Sequence, residues 1–155
     1  EVPKSEFTVY ENAEYGVKID YPTGWKIEQA PGEPIIAFFA DFKDDKDEFR
    51  ENVNISFEDL PTVMNVAEYW EAAKASLEQT MPEFKLIEVV DAKLSGYDAK
   101  QIFYTAKFEG VELKITQIFA VRETRAYIVS AGSVLNEFDG LKATAEKVFA
   151  SFEIR

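Results

Sequence analysis

The order of hydrophobic patterns predicts an α+β domain: a central antiparallel sheet flanked by two main helices. Three observations carry that expectation. From Phe84 to Gly132 apolar and polar residues alternate in four successive runs separated by short, turn-like links. A stripe at helical spacing follows Asn65, and a second occupies about Glu137 to Ala150. The short links set the direction of the sheet, because antiparallel neighbours can be joined by a tight turn whereas a parallel pair needs a crossover of about a dozen residues.

Taken in chain order, Phe7 to Tyr10 and Val17 to Tyr21 read as two short strands, separated by Glu11 to Gly16 with Asn12 and Gly16 as turn residues. In Tyr21-Pro22-Thr23-Gly24 the Pro at the second position and the Gly at the fourth predict a type I turn that returns Trp25 to the body as a core anchor. Ile35 to Phe39 is a continuous apolar run of strand length. Asn52 to Glu58 alternates, so that Val53, Ile55 and Phe57 face one way while Asn52, Asn54, Ser56 and Glu58 face the other. Between these strands, Asp41 to Glu51 is a charged surface loop.

Asn65 stands where a helix cap belongs, Glu68 completes a capping box, and Met64 with Tyr69 forms a hydrophobic staple. Val66, Trp70, Ala73 and Leu77 then recur at i, i+4, i+7 and i+11, one buried stripe that stops before Pro82. The later strands read as Phe84 to Leu94, Ala99 to Phe108, Glu112 to Val121 and Ala126 to Ala131. Ser95 to Asp98, Glu109 to Val111 and Arg122 to Arg125 link them. In the closing helix Phe138, Leu141, Ala145, Val148 and Phe149 share one side, Asn136 is the candidate cap, and Gly140 weakens the helix by about 1 kcal/mol. Phe152 to Ile154 reads as an edge strand.

A chain of 155 residues suits one domain, and 46% hydrophobic residues with 14% aromatics supply the apolar surface a core needs. The expected organisation is a linker or tether stub over 1–6 and a single domain over 7–155. The polar start from Glu1 to Glu6, with Pro3, reads as what remains after removal of a leader or anchor. An extracytoplasmic location follows as an expectation, with lipoprotein anchoring as one form of it. No uncharged apolar run approaches the 18 or so residues of a transmembrane segment.

The side-chain inventory excludes much chemistry. The chain has no histidine and no cysteine, so it lacks the imidazole base of a serine triad, a thiol nucleophile, disulfides and thiolate metal ligands. It also lacks a Gly-x-Ser-x-Gly elbow, a Walker loop and a Gly-x-Gly-x-x-Gly turn. Carboxylate pairs are abundant, but no pair is singled out for the acid/base work of a glycosidase. The expectation is a protein that is not an enzyme and needs no cofactor. Twenty-nine acids against 17 bases give a formal charge of −12, which repels nucleic acid and anionic lipid. A basic patch on a protein partner, or Ca²⁺, fits the sign; so does a plain solubilising role.

Three segments carry a family likeness: Glu14-Tyr15-Gly16-Val17-Lys18-Ile19-Asp20-Tyr21-Pro22-Thr23-Gly24-Trp25, Phe49-Arg50-Glu51-Asn52-Val53-Asn54-Ile55, and Ala145-Glu146-Lys147-Val148-Phe149-Ala150-Ser151-Phe152. Together they resemble the PsbP-like superfamily, which includes the extrinsic PsbP subunit of photosystem II, exported prokaryotic relatives and nuclear Ran-release factors. The resemblance runs from about Phe7 to Ile154. It implies an α/β/α sandwich and a domain that acts by docking on an unidentified partner protein without catalysing a reaction. It implies exported prokaryotic members more than photosynthetic ones, since plant relatives carry an extended N-terminal segment where this sequence has six residues before Phe7.

Asn52, Asn54, Ser56 and Glu58, within the likeness's internal motif, are the candidate docking residues; the amides could instead satisfy the adjacent loop backbone. Asp41, Asp44, Asp45, Asp47 and Glu48, with Glu51, offer oxygen ligands for Ca²⁺, although Arg50 and Ser56 occupy the sixth and twelfth positions where an EF-hand needs Gly and Glu. The same loop reads first as a solvated charge run. Gln117 falls among Leu113, Ile115, Phe119 and Val121, an amide entering a buried face in need of hydrogen-bond partners. The aromatics Phe103, Tyr104, Phe108, Phe119, Tyr127, Phe138 and Phe149 read as core, with a ligand cavity as the alternative.

Overall fold

Apolar runs that alternate with polar residues have one face to bury, and here they do so against helices on both sides of a seven-stranded sheet. The computed structural model describes residues 6–29, 34–41 and 49–155. In chain order the elements are β1 (Phe7–Asn12), β2 (Val17–Pro22), β3 (Lys26–Glu28), β4 (Ile35–Phe39), β5 (Asn52–Asp59), α1 (Val66–Thr80) and β6 (Lys85–Leu94). Then follow β7 (Tyr97–Phe108), β8 (Val111–Arg122), β9 (Arg125–Val134), α2 (Phe138–Ser151) and β10 (Glu153–Ile154). The large sheet has the order β3-β4-β5-β9-β8-β7-β6, and every neighbouring pair is antiparallel.

The two pleat faces bury different clusters. On one, Ile36, Phe38, Val53, Ile55, Val129 and Ala131 meet Leu141, Ala145, Val148 and Phe149 of α2 together with Val17 and Ile19 of β2. On the other, Ile102, Tyr104, Ala106, Phe119 and Ala126 meet Tyr69 and Trp70 of α1. Phe119 anchors α1: Trp70 stacks on its ring at 5.7 Å between centroids, and Tyr69 meets it edge-on at 5.5 Å.

α1 forms as its sequence dictates. Asn65 Oδ1 accepts from the Glu68 amide at 2.8 Å, and Glu68 Oε1 accepts from the Asn65 amide at 3.2 Å, so two orphan N–H groups of the first turn are satisfied. Val66, Ala73, Leu77 and Met64 join the same cluster as Trp70.

The structure departs from the sequence reading at several local points. The last three meander strands run further than their alternation suggested, leaving Ser95-Gly96 and Glu109-Gly110 as turns of two residues with φ of +53°, +83°, +50° and +85° in chain order. Positive φ at both central positions marks the turn whose twist matches the strands it joins. After β2 the turn closes one residue later than expected: the Trp25 amide donates to the Pro22 carbonyl at 3.2 Å, and Gly24 takes φ +93°, which only glycine adopts cheaply. Trp25 is half-buried at the margin of the core rather than its anchor. Asn136 does not cap α2; it lies in a 3₁₀ turn, Leu135–Glu137, that feeds the helix directly, and Glu137 at the cap makes no side-chain capping bond. β3 was not read from the sequence, and β10 pairs not with the large sheet but with β2, completing a separate three-stranded sheet of order β1-β2-β10.

Candidate functional site

Register places the docking candidates on α1's side of the sheet, in cross-strand rows. Asn54 of β5 is paired with Ser130 of β9, and Ser130 with Gln117 of β8, so three polar side chains stand side by side. One row toward the loop end, Asn52 is paired with Gly132 and Gly132 with Ile115; one row the other way, Ser56 is paired with Ile128 and Ile128 with Phe119. α1 rests over the β7 and β8 end of these rows. Among the described residues no helix covers the β4, β5 and β9 end of the rows.

Two concavities occupy the open half, with Gln117 lining both. The larger, about 550 Å³, lies beside α1 and is lined by Ile35, Ser56, Glu58, Met64, Tyr69 and Phe119 among others. The Tyr69 hydroxyl donates to Glu58 Oε2 at 2.7 Å. Burial, and then the bond to Glu58, push the Tyr69 pKa well above the ordinary tyrosine value, so the hydroxyl stays a donor and fixes the carboxylate. No cation among the described residues pairs with Glu58. Ile35, 44% exposed, lines this concavity, and Val63, 74% exposed, sits in the segment that leads into α1.

The smaller concavity, about 360 Å³, opens over the polar row and includes Asn52, Asn54, Gln117, Ser130, Gly132 and Tyr104, with Phe49, Met81, Phe108 and Leu113 as apolar walls. Gln117 Nε2 donates to the Tyr104 hydroxyl at 3.3 Å, and burial raises the Tyr104 pKa, which keeps that phenol protonated. Asn52 Nδ2 donates to the Arg50 carbonyl at 3.1 Å, so for Asn52 the loop-backbone role is realised. Among the described residues Asn54 Nδ2 reaches only Asn52 Oδ1, at 3.4 Å.

Asp41 is exposed and lies 3.6 Å from Lys26 Nζ, while Asp44, Asp45, Asp47 and Glu48 lie outside the described residues. Among the described residues no group of three or more carboxylates is placed to hold a metal. The aromatics divide between the two faces: Tyr104 and Phe119 under α1, Tyr127 and Phe149 in the opposite core, with Phe108 exposed at the rim of the smaller concavity. Sequence reasoning read Tyr69 only as a hydrophobic staple partner and missed its hydroxyl, and it missed Ser130. Tyr69 sits one residue beside the helical stripe, and Ser130 alternates like any polar strand residue; its one signal was the sequence Ile128, Ser130, Gly132, a face that loses bulk along the strand.

The sequence matches the family described as PsbP-like protein over residues 1–154. This chain belongs to that family. No curated protein sequence matches it. Among solved structures, the PsbP-like chain is similar to cyanobacterial PsbP from Synechocystis, with a TM-score of 0.71 and 16% identity over 99% of this chain and 95% of that one. It is similar to LpqN of Mycobacterium tuberculosis, described as involved in cell envelope biogenesis, with a TM-score of 0.73 and 16% identity over 95% and 89% of the two chains. The Ran-binding protein Mog1p of Saccharomyces cerevisiae gives 0.66 and 9% identity over 96% and 95%. At these identities the likeness shows the fold. Among the described residues no helix is long and apolar enough to cross a membrane.

Proposed function

We propose that this PsbP-like chain is a noncatalytic module, exported or surface-tethered, that docks a partner protein on the open half of the α1 face. The observation that carries the reading is Glu58: a carboxylate oriented by the Tyr69 hydroxyl at a 550 Å³ concavity, with an exposed Ile35 in the same lining. A lysine or arginine of a partner would find there an oriented acceptor and an apolar bed for its stem. The −12 charge favours approach of a basic patch. Mog1p, which shares the fold, is named as Ran-binding, which supports a protein-binding use of this architecture. The absence of histidine and cysteine from the sequence supports a noncatalytic role.

Cross-linking in the native organism followed by calorimetry with the captured partner tests the reading. Glu58→Lys should weaken binding at least tenfold, on the scale of a lost charge pair. Asp98→Lys, in the turn region where Asp98 pairs with Lys93, should leave it unchanged. Equal affinities for both variants would overturn the assignment of this face. Cell fractionation that finds the protein only in the cytoplasm would overturn export.

A further inference from the structure

The smaller concavity has a chemistry that protein docking does not require. Among the described residues its polar floor is neutral: Asn52, Asn54, Gln117 and Ser130 carry amides and a hydroxyl, and no acid or base belongs to the described lining apart from the Tyr104 phenol. Ser130 is 5% exposed, and among the described residues its hydroxyl has no hydrogen-bond partner. The residue lines the concavity, where its hydroxyl is open to a bond from a ligand. Gln117 uses one amide hydrogen on Tyr104, leaving its carbonyl oxygen without a partner among the described residues. Asn54 Oδ1 is likewise without one.

The space itself depends on one glycine. A Cβ at Gly132 would lie 3.2 Å from Ile115 Cγ1, so any larger residue there would crowd Ile115 and fill the floor beside the polar row. The walls are apolar and partly aromatic, with Phe49 and Phe108 among them. Amide side chains donate and accept from one group, as a ring hydroxyl does, and the apolar walls suit the C–H face of the same ring. A cavity of about 360 Å³ is of small-ligand size.

From these features we infer that the concavity over the Asn54–Ser130–Gln117 row is a binding site for an uncharged saccharide. The ring's hydroxyl edge meets Asn54, Ser130 and Gln117, and its apolar face meets Phe108 or Phe49. The inference does not rest on the docking reading, because Glu58 and Tyr69 belong to the other concavity.

The test is a titration of the isotope-labelled protein, followed by amide and side-chain NMR shifts, with glucose, galactose and maltose. Dextran is run beside them, since the same ring could be presented free or within a glycan. Saturable shifts confined to Asn54, Gln117, Ser130, Gly132 and their neighbours are expected for at least one sugar, unchanged between low and high salt because no ion pair is involved. Response to free sugar alone marks a soluble ligand, and response to dextran as well marks a glycan; either supports the inference. Ser130→Ala should weaken binding roughly tenfold, the scale of one lost hydrogen bond. Gly132→Val should abolish it, and Glu58→Gln should leave it intact while impairing protein docking. No saturable shift up to about 100 mM sugar, far above the millimolar range of weak binding, would overturn the site. Shifts confined to residues elsewhere, or equal affinity in Ser130→Ala, would do the same.

Discussion

The two faces of the large sheet are built from the same strands yet finished differently. On the α2 face, Ile36, Phe38, Val53, Ile55, Val129 and Ala131 are fully buried beneath α2 and β2. On the α1 face the register that places those residues inward places Asn52, Asn54, Ser56 and Ser130 on the opposite pleat, and α1 covers only part of it. Because successive strand residues alternate, burying Val53 and Ile55 against α2 commits Asn52, Asn54 and Ser56 to the other side. The difference separates residues that hold the fold from residues available for recognition.

If that separation is right, substitutions should divide by face. Phe38→Ala, a fully buried ring on the α2 side, should cost about 4 kcal/mol in urea-induced unfolding. Trp70→Ala should cost somewhat less, about 3 kcal/mol, because α1 loses its stacking contact with Phe119 while the α2 core persists. A comparable loss from Asn54→Ala would erase the distinction.

The buried phenols of the α1 face give it a pH signature. Tyr69 and Tyr104 have pKa values raised by burial, so above about pH 10, the usual tyrosine value, the unfolded chain releases protons that the folded chain keeps. The unfolded state then binds fewer protons, and stability falls as pH rises, by up to about 1.4 kcal/mol per pH unit for each phenol. Their contribution is complete below pH 10. Tyr104→Phe should flatten the slope measured by denaturation between about pH 10 and 11.5. An unchanged slope would show that Tyr104 is not protected.

A smaller effect isolates the helix itself. Asn65→Ala removes the cap acceptor of the Glu68 amide and should lower stability by about 1 kcal/mol, with a matching loss of helical circular dichroism on heating. A neutral result would mean that packing on Phe119 alone sets the start of α1.

What the sequence disclosed follows the same local-to-distant gradient. The capping box was readable because Asn65 and Glu68 lie within one turn, and the Val66 to Leu77 stripe because helical spacing is a local property. The four meander strands were readable from alternation; their turns were read too long because Tyr97, Asp98 and Val111, which already belong to the following strands, adjoin the turn residues Ser95-Gly96 and Glu109-Gly110. β3 escaped because Lys26-Ile27-Glu28 is short and exposed on every residue. The candidate docking residues could be assigned to one strand face, but the polar row could not be seen. Asn54, Ser130 and Gln117 are distant in sequence and meet only through the register of three strands, and the same register sets Gly132, whose missing side chain leaves the floor open, beside Ile115.

The most direct test of the division is the unfolding free energy of the Asn54→Ala, Ser130→Ala double variant. Groups held for recognition contribute little to stability, and among the described residues the Ser130 hydroxyl makes no hydrogen bond to lose, so the variant should lie within about 0.5 kcal/mol of the parent. A loss above about 2 kcal/mol, the scale of a broken buried hydrogen-bond network, would show that the open row is part of what holds the sheet together and would contradict the account.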